Sequence, residues 1–227
     1  MARRSQMDIE AMLQEMHAIY THDPVVAVRG QAFIKILHRR LKDDILEQLS
    51  PVAKKRKVAV TEESTIFGSH KPKDVDISVI DPDNGPLLMI GVRSQMSSVG
   101  KNVLTYYEEI IGECISLQDR FPMAVFGYIY LMPVRPIKPG KEHESIDHAR
   151  YSRLYDAITG REGQAYKDIR GIFDQFAYMV VDFTADPPLL RDDLLSSRLR
   201  NDLKISTFLD RMINTFKDRH LFLDIFK

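Results

Sequence analysis

The sequence predicts a mixed α/β fold, in which helices flank a central sheet of antiparallel and parallel strands. Three observations carry this prediction. Residues 75–79 and 87–93 have strand patterns and are joined by a short turn, so they form an antiparallel hairpin. A helix predicted over residues 102–120 is long enough to connect this hairpin in parallel to a further strand, residues 123–131. Helical patterns also occupy both ends of the chain.

The N-terminal part is predicted to be helical. Apolar residues recur at helical spacing over residues 8–20, and a second helix is predicted from Pro24 to about Leu49. Short runs of β-forming residues at 58–60 and 66–67 then indicate two brief strands. The chain therefore changes from helical to strand periodicity shortly after residue 50.

The central strands and the C-terminal part follow the same rules. Residues 81–86 are a dense turn signal, and the apolar run after them is typical of a strand buried on both faces. The C-terminal predictions are helices over 145–159, 164–173 and 202–218, and a strand over 176–183. We expect a single domain of residues 1–227, with N-terminal helices over 1–50, a core over 52–135, and C-terminal helices with an added strand over 140–227.

The composition bounds the class of protein. The 227 residues include 32 basic and 32 acidic side chains, so the formal net charge is zero and any basic surface must be local. A single cysteine, Cys114, excludes an intrachain disulfide and a cysteine-based zinc site. No apolar run approaches the roughly 20 residues that span a bilayer. We expect a cytoplasmic protein without membrane contact.

Two charged residues in apolar strands are the most informative feature. Asp76 lies between Val75 and Ile77, and Arg93 follows an apolar run. A charge in such a position is costly unless something pairs with it or uses it. Strand alternation predicts two sets of side chains that each share a face: Asp74, Asp76 and Ser78 on one strand, and Gly91, Arg93 and Gln95 on the other. Asp76 and Arg93 would then face one phosphate, or form a structural ion pair across the strands.

The segment 73–79 followed by 88–95 resembles the signature of the PD-(D/E)xK nucleases, of which restriction endonucleases are members. The resemblance covers residues 58–132 and implies a restriction-endonuclease-like sheet that carries a magnesium site. It implies Asp76 as a Mg²⁺ ligand. Two positions depart from the family pattern: Gly91 stands where Glu is expected, and Arg93 where Lys is expected. Arginine cannot act as a base, but it can hold a phosphate through two hydrogen bonds.

The missing carboxylate could come from the helix that follows, as in some restriction enzymes of this fold. The apolar stripe of residues 102–120 predicts that Glu108 lies at its edge, whereas Glu109 and Glu113 point away from it. Gly91 would leave room for the Glu108 carboxylate. An ordinary solvated position for Glu108 is the alternative.

These residues predict metal-assisted hydrolysis of a phosphodiester bond. Asp76 and Glu108 would bind Mg²⁺, with Mn²⁺ as a substitute, and Arg93 would stabilise charge on the phosphate. Gln95 or Lys101 would position the water or a neighbouring phosphate.

One concentrated basic run could contact DNA outside the active site. Its exposed charges would bind backbone phosphates, although a nuclear import signal and a solvated loop remain alternatives. The run consists of Lys54, Lys55, Arg56 and Lys57.

The leading hypothesis is a Mg²⁺-dependent deoxyribonuclease of the type II restriction class, acting on double-stranded DNA as a homodimer. The dimer follows from the need for two active sites to cut a duplex. The alternative is a nuclease-fold protein that binds nucleic acid without cutting it, which the loss of the strand Glu would explain. A third hypothesis is a protein-interaction module built on the terminal helices.

Overall fold

A computed structural model describes residues 8–136, 145–161 and 169–227. It contains one six-stranded sheet with helices on both faces, which confirms the predicted mixed α/β class. The helices are α1 Ile9–His22, α2 Pro24–Gly30, α3 Ile34–Gln48, α4 Pro51–Lys55, α5 Val99–Arg120, α6 His148–Asp156 and α7 Ile205–Arg219, with a short 3₁₀ helix over Asp192–Leu194. The strands are β1 Ala59–Phe67, β2 Pro72–Asp81, β3 Gly85–Ser94, β4 Val125–Pro133, β5 Gln175–Asp182 and β6 Leu189–Leu190.

The strands lie in the sheet in chain order, from β1 to β6. β1, β2 and β3 form an antiparallel meander, and Ile77 pairs with Ile90 in the second hairpin. β4 is parallel to β3, with Gly91 opposite Tyr128, and β5 is parallel to β4. β6 closes the far edge in antiparallel orientation. The predicted hairpin and the parallel connection through α5 are therefore both confirmed.

The sheet separates two hydrophobic clusters. On one face, α1, α3 and α7 pack against side chains such as Ile77, Ile90 and Ile129. On the other face, α5 and α6 pack against Met89, Tyr128 and neighbouring aromatic residues. Every residue of β4 is buried, because this central strand has a helical layer on each side.

Four helices begin at a residue whose side chain caps the first turn, among them α2, where Asp23 accepts from the Val26 N–H. Asp8 accepts from the Ala11 N–H at the start of α1, and Asp147 accepts from Arg150 at the start of α6. Ser50 does the same for α4, with Pro51 in the first helical position. These capping residues place the helices where the apolar periodicity starts.

Several predicted boundaries differ from the structure. The single helix predicted after Pro24 is two helices, because the chain between α2 and α3 turns through Gln31 with a left-handed φ of 51°. The two brief strands predicted between 58 and 67 form the single strand β1. The helix predicted over 164–173 lies partly outside the described residues, since these omit residues 162–168. The described end of that segment is not helical, because Phe173 forms a parallel bridge with Thr159, so the prediction is wrong there.

Across the described residues, none of the helices is both long enough and apolar enough to pass through a lipid bilayer.

Candidate active site

The candidate site lies where β2 and β3 separate. Their pairing runs as far as Ile77 and Ile90, and beyond that point the ladder stops. The Asp76 Oδ2 atom accepts a hydrogen bond of 2.7 Å from the Val92 N–H. The alternation of side chains also breaks here, since Val75 packs into the α5 cluster whereas Ile77 packs into the α3 cluster. The Asp76 carboxylate therefore occupies the gap between two diverging strands.

A pocket of about 190 Å³ opens beside this gap. Both Asp76 and Arg93 line it, although each has another partner in the structure. The charged residues in its lining are Lys73, Asp74, Asp76, Arg93 and Glu113. The lining thus carries three acidic and two basic groups, and it also includes Gly91 and Tyr128.

Asp76 faces a buried histidine on α3. The His38 Nε2 atom lies 3.8 Å from Asp76 Oδ1, and this nitrogen is buried without a hydrogen-bond partner among the described residues. Burial raises the pKa of Asp76, although the Val92 N–H and nearby His38 act in the opposite direction. Burial likewise lowers the pKa of His38, against the influence of Asp76. A cation beside this pair would favour the charged form of the carboxylate.

Arg93 is held in place by α5. Its Nη1 atom donates a hydrogen bond of 2.8 Å to Glu109 Oε2, and its guanidinium lies 4.4 Å from the centre of the Tyr106 ring. The Arg93 side chain keeps 23% of its surface exposed. A planar guanidinium fixed by stacking presents its remaining N–H groups in one direction, which suits a phosphate.

Glu113, not Glu108, is the α5 carboxylate that lines the pocket. Its side chain is 15% exposed and forms an ion pair with Lys73 of β2. Glu108 is exposed and is absent from the pocket lining. The prediction that Glu108 approaches the site while Glu113 points away is therefore wrong. Glu109, also predicted to point away, is 48% exposed and is absent from the pocket lining. The apolar stripe included Leu104, which is 51% exposed, so it placed the buried face too far around the helix.

The space predicted above Gly91 is filled. Tyr128 lies opposite Gly91 in the parallel ladder, and a Cβ atom at position 91 would stand 2.5 Å from Tyr128 Cε2. The Tyr128 ring stacks in turn on Phe176, with centroids 5.6 Å apart. Glycine at position 91 thus accommodates a tyrosine ring rather than an incoming carboxylate.

Gln95 and Lys101 do not reach the pocket. Gln95 is buried, donates to the carbonyls of Ser98 and Val99, and accepts from the Tyr130 hydroxyl, so its amide fixes the loop before α5. This network leaves Gln95 no group for a water or a phosphate at Asp76. Lys101 is exposed on the first turn of α5 and is not part of the pocket lining.

The basic run lies at the other end of the β1–β2 pair. Lys54 and Lys55 end α4, and the strand that follows begins at Ala59, opposite Ile80. Lys54, Lys55 and Lys57 are exposed, whereas Arg56 pairs with Asp81 and Asp83 beside the β2–β3 turn. The DNA contact predicted for Lys54, Lys55, Arg56 and Lys57 would therefore be separate from the pocket at Asp76.

Four residues near Asp76 were not predicted from the sequence to belong to this site. His38 had a usable signal, because it shares the apolar stripe of α3 with Ile34, Leu41 and Ile45 at helical spacing. The others were less visible, because their placement depends on how the second helical layer docks. They are Lys73, Glu113 and Tyr128.

The described residues contain no ready-made metal cage, since no three side chains of His, Cys, Asp or Glu converge. The donor chemistry nevertheless fits Mg²⁺, which commonly takes one or two carboxylates and completes its shell with phosphate oxygens and waters. Asp76 and Glu113 supply such carboxylates, and the orphaned His38 nitrogen beside Asp76 marks a polar gap.

Comparison with protein-family models, with curated proteins and with solved structures finds no match to this chain.

Proposed function

We propose that this protein is a metal-dependent endonuclease that hydrolyses phosphodiester bonds in double-stranded DNA. The observation that carries the proposal is the pocket at the diverging ends of β2 and β3, where three carboxylates and two basic side chains line one small cavity. The helix-strand order of α3, β1, β2, β3, α5 and β4 supports a restriction-endonuclease-like type of sheet.

Four of the five charged residues in the pocket lining have a defined task in this proposal. Asp76 and Glu113 would hold Mg²⁺, and when bound this ion polarises the phosphate and lowers the pKa of an attacking water. Arg93 binds a phosphate oxygen with the N–H groups that Glu109 leaves available, and stabilises the charge that develops there. Lys73 releases Glu113 and turns its ammonium group toward the phosphate or the water.

The need to cut both strands of a DNA duplex suggests a homodimer. Cutting both strands takes two active sites, and this pocket provides one per chain, so two copies related by a twofold axis would match the symmetry of a duplex. The homodimer and a cytoplasmic location are parts of the proposed restriction-type function.

The test is cleavage of supercoiled plasmid DNA with Mg²⁺ and, separately, with Mn²⁺. We expect Asp76→Ala to abolish cleavage, and Glu113→Gln to reduce its rate by about 100-fold or more, as for other groups that act on the transition state. Glu108→Gln is the matched control on the same helix and should cleave like the wild type, because Glu108 is exposed outside the pocket. Cleavage that survives Asp76→Ala would remove this pocket as the active site.

A second function is favoured by one observation. Lys73 with Glu113 and Arg93 with Glu109 already form ion pairs, and the described side chains include no three-ligand metal cluster. A nuclease-fold module that binds DNA without cutting it would have these properties. Binding of duplex DNA without cleavage in either metal, together with weaker binding by Arg93→Ala, would support this function over the nuclease.

A further inference from the structure

Tyr128 is the only tyrosine among the described residues that line the pocket with Asp76 and Arg93. It is buried, and the proposed chemistry does not yet use its hydroxyl group. Its side chain belongs to β4, where the parallel ladder places it directly across from Gly91. Only 6% of Tyr128 is exposed.

The ring of Tyr128 is fixed from two sides. It stacks on Phe176 at an interplanar angle of 20° and packs against Phe173 with centroids 5.3 Å apart. The missing side chain of Gly91 admits the ring on the third side. A tyrosine held this way presents its hydroxyl group in one direction with little loss of conformational entropy on binding.

That hydroxyl group faces charges. It interacts electrostatically with Arg93, Glu113 and Asp76, yet it makes no hydrogen bond to any described residue. A tyrosine hydroxyl is ordinarily protonated at neutral pH, so the group is available as a hydrogen-bond donor. A hydroxyl group that lines a pocket is free to donate to a water molecule or to a ligand that enters the pocket.

We propose that the Tyr128 hydroxyl is a substrate-binding group that donates a hydrogen bond to a non-bridging oxygen of the DNA phosphate held by Arg93. A phosphodiester offers only acceptors, which suits a hydroxyl group that acts as a donor. Tyr128 would thus bind the phosphate, while the carboxylates of Asp76 and Glu113 would bind the metal ion. This inference rests on the proposed function, because it assumes that the pocket accepts a backbone phosphate.

The experiment uses Tyr128→Phe, which keeps the ring and removes the hydroxyl group. Binding of a short fluorescein-labelled DNA duplex is measured by anisotropy with Ca²⁺ in place of Mg²⁺, and kcat and KM are measured with Mg²⁺. We expect Kd to rise about 10-fold or more, as for a lost hydrogen bond to a charged group, with an unchanged unfolding temperature. Tyr20→Phe is the matched control, because Tyr20 is equally buried, at 6% exposure, but packs against Phe33 and Phe183.

The salt dependence separates a binding role from a structural one. Removing a neutral donor should leave the slope of log Kd against log salt unchanged, whereas Arg93→Ala should reduce it by about one counterion. Wild-type affinity and kinetics in Tyr128→Phe would overturn the inference and leave the nuclease proposal intact. A wild-type protein that neither binds nor cleaves the duplex would overturn both.

Discussion

The contact between Gly91 and Tyr128 can be tested by adding one methyl group. In Gly91→Ala, the new Cβ atom would lie 2.5 Å from Tyr128 Cε2 and 2.7 Å from Cδ2, well inside ordinary van der Waals contact. The ring cannot retreat easily, because Phe176 stacks on it. The backbone at position 91 is not among the positive-φ glycines, so alanine causes no conformational strain of its own.

Two effects of opposite sign set the magnitude. Overpacking of a core contact typically costs about 1–3 kcal/mol. Replacing glycine by alanine inside a strand recovers about 0.5–1 kcal/mol of that, because glycine loses more backbone entropy on folding. The net destabilisation of Gly91→Ala should therefore lie between about 0 and 2.5 kcal/mol, which corresponds to a fall in Tm of up to about 10 °C for a domain of this size.

A double-mutant cycle isolates the contact. Tyr128→Ala removes the ring at a cost of about 3–5 kcal/mol, and in that background Gly91→Ala should be neutral or stabilising. Guanidinium unfolding of the four proteins measures the coupling, which we expect to be about 1–3 kcal/mol. Equal effects of Gly91→Ala in both backgrounds would show that the ring does not occupy this space, and the account of the missing strand carboxylate would fail with it.

Two further predictions concern stability. Asp174 is fully buried between Arg161 and Arg219, so Asp174→Asn should lower the free energy of unfolding by about 3–5 kcal/mol. Asp83 is exposed and serves as the control, since Asp83→Asn should lower it by less than about 0.5 kcal/mol. Equal urea midpoints for the two variants would contradict this prediction. Burial lowers the pKa of His148 to about 4, so the unfolded chain binds its proton more readily. The contribution of neutral His148 to the free energy of unfolding should be complete above about pH 6.5 and should fall by about 3 kcal/mol as the pH falls toward 4. Urea titrations at a series of pH values measure this decline, and it should be smaller in His148→Gln.

The sheet was predictable because its signals are local. Strand alternation around Asp76, a dense turn, and an apolar run ending at Arg93 define a hairpin within 20 or so residues. The length of α5 then allows a parallel return to β4, which the structure shows. These arguments need only the order of residues along the chain, and the structure agrees with them.

The site was less predictable because it depends on docking between distant segments. Periodicity gives the relative positions of Glu108 and Glu113 on a helix, but which of them meets the strands depends on the rotation of α5 about its own axis. Leu104 entered the predicted stripe although it is half exposed, and this shifted the expected face. His38 meets Asp76 only because α3 packs beneath β2, which no local pattern shows.

The charges of the pocket explain how a nuclease could lack a complete metal cage. With all groups ionised, three acids outnumber two bases in its lining, so the pocket carries a formal charge of one negative unit before any ligand binds. A phosphodiester adds a second negative unit, and repulsion would then oppose its entry into a half-buried site. One divalent cation would balance the negative charge of the pocket and that of the phosphodiester. We therefore expect phosphate and cation to enter together, each completing the environment of the other, so that Asp76 and Glu113 need to supply only part of the coordination shell.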